Sequence, residues 1–84
     1  MKTMREYMPF FLEHYVREVV KMIITKYSYN EKNALREFLN SKTYRMLANY
    51  KMEMWEFGYP AIFEIWECEK TTGDALNSPY LNVN

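Results

Sequence analysis

Eighty-four residues, 49% of them hydrophobic, 18% aromatic and 26% charged, describe a small globular chain near the lower size limit for folding without a metal or disulfides. A formal net charge of zero supplies little attraction for phosphate, the single cysteine, Cys68, excludes an internal disulfide, and two glycines exclude a glycine-rich phosphate loop. No apolar run reaches the ~20 residues of a membrane span, and Glu13, His14, Arg17 and Glu18 cut the N-terminal apolar stretch too early for a secretory segment, so a cytoplasmic location is expected.

Helical periodicity dominates the first third. Pro9 suits a first helical position, where a missing N–H costs nothing. From there Phe11, Leu12, Tyr15, Val16, Val19, Val20, Met22 and Ile23 form one apolar face. Glu13, His14, Arg17, Glu18, Lys21 and Thr25 form the opposite face, and the helix is predicted to end near Tyr27, before Ser28-Tyr29-Asn30. Its apolar face is wider than packing against one neighbour requires.

Asn30 is a good N-cap for a second helix burying Ala34, Leu35, Phe38 and Leu39. Asn40-Ser41 reads as a turn, with Ser41 capping a short third helix that buries Tyr44, Leu47 and Ala48. Over residues 50–57, Tyr50, Met52 and Met54 alternate with charged residues at a strand period. A lone strand would have no partner, so a short helix capped by Asn49 and stopped by Gly58 is preferred. Pro60 opens the last helix, with Ile62, Phe63, Ile65 and Trp66 inward and Glu64, Glu67 and Lys70 outward, ending at Thr71-Thr72-Gly73-Asp74. Leu76, Tyr80 and Leu81 are expected to pin the tail to the body. The fold expectation is all-α: a compact array of four to five helices with a long N-terminal helix. Residues 1–84 are read as one helical domain, with a core over about 9–72 and a tail over 73–84.

Charge is unevenly placed. Residues 1–51 carry ten Lys/Arg against five Glu, and residues 52–84 carry one Lys against six Asp/Glu. The plain expectation is that the acidic last helix docks on the basic ones; a bipolar surface that guides a partner is the alternative.

Catalytic and metal chemistry find little support. His14 is the only histidine and lies on the charged face amid Arg17 and Lys21, so an exposed surface histidine is expected. Glu53, Glu56, Glu64, Glu67 and Glu69 lack the following histidines of a di-metal bundle site and read as a solvated acidic face. No nucleophile motif is present, so no catalytic residue, metal ligand or cofactor is assigned. The second and third helices have the outline of a helix-turn-helix, with Lys42, Thr43, Arg45 and Asn49 on the second of the pair. The turn lacks glycine and the chain lacks net positive charge, so nucleic-acid binding ranks below protein binding.

The most distinctive run is Tyr50-Lys51-Met52-Glu53-Met54-Trp55-Glu56-Phe57-Gly58-Tyr59, because Tyr, Trp and Met are enriched in interface cores. The candidate interface residues are Phe11, Tyr15 and Val19 on the first helix, with Tyr50, Met52, Met54, Trp55 and Tyr59 from this run. If these two surfaces bury each other, the apparent surplus of apolar surface disappears.

The segment Ala34-Leu35-Arg36-Glu37-Phe38-Leu39-Asn40-Ser41-Lys42-Thr43-Tyr44, followed by Met54-Trp55, Pro60, Ile62-Phe63, Trp66-Glu67 and Thr72-Gly73-Asp74, resembles a group of small uncharacterised bacterial helical proteins, of the domain-of-unknown-function type. The resemblance covers roughly residues 15–81, rests on packing and capping residues, and implies a bacterial origin and an all-α fold without a reaction, cofactor or site. Small helical proteins of this kind that lie beside toxin-like genes suggest an antitoxin or regulatory role. The functional expectation is therefore a non-enzymatic protein-interaction module, homodimeric, partnered by itself or another protein. A small DNA-binding regulator is second, and a small-molecule binder with Trp55, Trp66 and Tyr59 around a pocket is third.

Overall fold

The long first helix, α1, spans Met4–Tyr27 in the computed structural model, which describes residues 4–81, with side chains described at Tyr7 and from Pro9 onward. Pro9 lies inside this helix rather than at its first position, because helical backbone continues back to Met4. Lacking an N–H, Pro9 deprives α1 of one i to i−4 hydrogen bond in its second turn. The C-terminus forms where the sequence places it. Ser28 takes a left-handed backbone (φ 59°) and its N–H donates to the Ile24 carbonyl at 2.9 Å.

Helix α2, Glu31–Leu39, is capped by Asn30, whose side chain accepts the Asn33 N–H at 2.8 Å. Only Ala34 and Phe38 are buried. Leu35 and Leu39, predicted inward, each sit one residue and so about 100° around the helix from that row, and both are exposed. Helix α3, Lys42–Ala48, is capped by Ser41, which accepts the Tyr44 N–H at 3.0 Å and donates its hydroxyl to the Phe38 carbonyl at 2.6 Å. Its inward row is Thr43, Met46 and Leu47; Tyr44 is half-buried and Ala48 exposed, against expectation. A partner from the far end of the chain causes this rotation: the Glu69 carboxylate accepts the Lys42 N–H at 2.9 Å, the Thr43 N–H at 2.8 Å and the Thr43 hydroxyl at 2.7 Å, drawing Thr43 into the core.

Residues 50–57 form two 3₁₀ turns, Tyr50–Met52 and Met54–Phe57, rather than a strand. Asn49 caps the first, and Glu53, left-handed at φ 53°, separates them. Gly58 (φ 79°) closes the second and admits helix α4, Tyr59–Thr72, with Pro60 in its opening turn. Gly73 (φ 86°) ends α4, its N–H donating to the Glu69 carbonyl at 2.9 Å. A last 3₁₀ turn, Ala75–Asn77, folds back on α4. The tail is anchored by buried Ala75 and Ser78 and half-buried Leu81; Leu76, predicted as an anchor, is exposed. Tyr80 is also exposed, although its ring packs 5.8 Å from Phe57 and its hydroxyl bonds Glu64.

All four helices and no strand occur among the described residues, giving an all-α fold with a long N-terminal helix. Helix α4 is its centre: α1, α3, the second 3₁₀ turn and the tail turn all pack on it. The core joins Val19 and Ile23 of α1, Phe38 of α2, Leu47 of α3, Met54, and Ile62, Ile65 and Trp66 of α4. The acidic end does dock on the basic helices, through Lys26–Glu67 at 2.6 Å, Lys42–Asp74 at 3.7 Å and the Glu69 cap, with Lys70–Glu37 at 2.7 Å in the reverse sense. The exposed pairs each add little stability; their value lies in register. The molecule is a slab of 42 × 34 × 18 Å, about two helices deep.

Candidate protein-interaction groove

The two surfaces predicted to be interfaces largely cover each other. Tyr15 is buried and its hydroxyl donates to the Trp55 carbonyl, burial raising the Tyr15 pKa above its ordinary value. Val19 and Met54, at 0% and 1% exposure, are core residues and offer no surface to a partner, which corrects their place among the interface candidates. Trp55 and Tyr50 are half-buried, Trp55 packing on the core. Phe11, Met52 and Tyr59 stay exposed. His14, also exposed, meets the rings of Tyr15 and Tyr59 edge-on at 6.0 and 5.9 Å, an aromatic bridge between α1 and the start of α4.

An apolar surplus nevertheless remains, displaced around α1. Leu12, Val16, Val20 and Ile24, each four residues from the next, lie in a single row along the helix; Val20 is buried in the core at 7% exposure, and the other three are half-buried against it. With Pro9 at one end, and with Leu35 of α2 and Tyr44 of α3 as the facing wall, they line a groove of about 720 Å³. Glu13, Arg17, Lys21 and Glu31 form its charged rim, and Arg17 donates to Glu13 at 2.9 Å. Leu35 is exposed because α2 turns it away from the core and into this groove. None of Tyr7, Phe10 and Phe11 belongs to the core, and Phe10 is 71% exposed.

Sequence periodicity places Leu12, Val16 and Val20 on one broad apolar face with Val19 and Ile23, and Val20 does join those two in the core. Leu12, Val16 and Ile24, on the row beside Tyr15–Val19–Ile23, are covered only in part, and the placement of α2 decides how much of that row the groove exposes.

Other candidates resolve into structure. Glu69, read as part of a solvated acidic face, is the α3 cap described above. Burial pushes its carboxyl up, but the Thr43 hydroxyl, the Lys42 and Thr43 N–H groups and Arg45 outweigh that and hold it below the ordinary glutamate value. Glu67 accepts from Lys26 and from the Tyr27 hydroxyl, raising the pKa of both donors. Among the described residues, no group of three His, Cys, Asp or Glu side chains converges as metal ligands would. Trp66 is 1% exposed with its indole Nε1 unpartnered; the surface hollow it borders is shared with Tyr27, Tyr29, Glu67, Lys70 and Thr71, and not with Trp55 or Tyr59 as a common pocket would need. No helix among the described residues is long and apolar enough to cross a membrane.

No family model, curated protein or solved structure matches this chain.

Proposed function

We propose that this chain is a non-enzymatic protein-interaction module whose α1 groove receives an apolar helical surface of a protein partner. The observation that carries this reading is the Leu12–Val16–Val20–Ile24 row, walled by Leu35 and Tyr44 and rimmed by charge. Apolar anchors at i, i+4 spacing, bounded by Glu and Lys or Arg, suit helix-in-groove recognition. Nucleic-acid binding gains nothing from the α2–α3 pair: Glu69 and Asp74 sit against Lys42, at the end of α3 that a recognition helix would turn to the bases.

The test places a photo-crosslinking phenylalanine analogue at Leu35, at Phe10 or, as a control on the exposed side of α4, at Thr71, in concentrated protein mixed with extract of its native cell. Adducts at Leu35 and Phe10, absent at Thr71 and lost when Val16 is replaced by Asp in a variant that still folds, support the module. Adducts equally frequent at Thr71, or none at the groove positions, contradict it.

A further inference from the structure

The pattern of charge on the groove rim points to its occupant. Along α1 the rim reads Glu13, Arg17, Lys21, acidic toward the N-terminus and basic toward the C-terminus. All three side chains are mostly exposed. The apolar row beside it, Leu12, Val16, Val20 and Ile24, is symmetric about its midpoint at Glu18. Reversal there exchanges half-buried Leu12 with half-buried Ile24, and half-buried Val16 with Val20 at the groove floor, which keeps 7% of its surface exposed. A helix of the same sequence laid antiparallel therefore fits both features at once.

We infer that the groove is occupied by a second copy of this chain, with the two α1 helices antiparallel about a two-fold axis that crosses the seam at the level of Glu18, whose side chain lies on the other side of the helix; the inference rests on the proposed role of the groove. In this register Glu13 lies two residues, about 3 Å of helical rise, from the position of the partner's Lys21, and the pair occurs twice by symmetry. A parallel arrangement would set Glu13 against Glu13 and Lys21 against Lys21. Arg17 falls near the axis, opposite its own copy, with its guanidinium already engaged by Glu13 at 2.9 Å. The same reversal carries Phe10, the most exposed large apolar side chain described, to the far end of the partner's groove beside Ile24 and Leu35. Phe10 and Phe11, neither of which belongs to the core, thereby gain a surface to cover.

Sedimentation equilibrium of the purified chain tests this directly, with the variants Glu13→Lys, Lys21→Glu, their double combination and Phe10→Glu, all at exposed positions. The expected result is a dimer that each single charge reversal weakens about tenfold, that the double reversal restores, and that Phe10→Glu dissociates, with helical circular dichroism unchanged throughout. A chain that stays monomeric up to about millimolar concentration overturns the self-pairing, as does a dimer indifferent to Phe10→Glu or one in which the double reversal is no better than the singles. The crosslinking experiment keeps the two readings apart. Groove adducts to a different protein from a monomeric chain leave the module standing and remove the second copy; an absence of groove adducts removes both.

Discussion

Gly73 and Glu69 show what single residues do in this fold. Gly73 ends α4 at φ 86°, and a Cβ built there would meet no atom within 4 Å. The cost of Gly73→Ala is therefore backbone strain alone, and thermal or denaturant unfolding should show a loss of about 1 kcal/mol without any change in packing. Glu69 joins α4 to the first turn of α3 through three hydrogen bonds. Its pKa is depressed in the folded state, so its contribution is fully present above the unfolded glutamate value, about pH 4.3, and is lost as pH falls through the lower folded value. Glu69→Gln should cost about 1–2 kcal/mol near neutral pH, because an amide cannot accept at both positions. The gap between variant and wild type should narrow as pH drops below about 4, as urea titrations at several pH values would show. Both residues mark the reach of sequence reading. Gly73 was legible because a helix-ending glycine acts on its own neighbours. Glu69 was not, since its partners lie 26 and 27 positions away and only the docking of α4 on α3 brings them together.

At the scale of elements, boundaries followed from caps and faces did not. Asn30, Ser41 and Gly58 each stop or start an element where their local chemistry dictates. The rotation of each short helix was decided elsewhere: α2 turns Leu35 and Leu39 outward, and α3 turns Thr43 in and Ala48 out. In a helix of seven or nine residues, one inward row uses two or three positions, and periodicity alone cannot choose between rows about 100° apart. Neighbours on α2 should then respond very differently to mutation. Phe38→Ala empties a site of 0% exposure and is expected to cost about 3–5 kcal/mol, whereas Leu35→Ala, on the groove wall, should change monomer stability by no more than about 1 kcal/mol. Chemical denaturation at low protein concentration, where association does not contribute, separates the two.

For the whole molecule, a two-layer slab built on α4 leaves a groove between α1 and the α2–α3 pair. The sequence points to an apolar surplus on the wide face of the first helix and on the Tyr50–Tyr59 run, and each is covered in part. The run meets α1 through Tyr15, Trp55 and the His14–Tyr59 contact, while Leu12, Val16 and Ile24 are half-buried along the groove and Phe10 is exposed. Which row stays open depends on where α2 and α3 come to rest, a property of tertiary placement with no local signature. If a second copy covers that row, association and stability are linked, since a ligand that binds only the folded chain raises its midpoint by mass action. The most direct measurement is the thermal midpoint of the wild-type chain and of Phe10→Glu across a roughly hundredfold range of protein concentration. The wild-type midpoint should climb with concentration, while that of Phe10→Glu should stay at the wild-type dilute value throughout. A wild-type midpoint that does not move, or one that climbs equally in the variant, would contradict the self-pairing of α1.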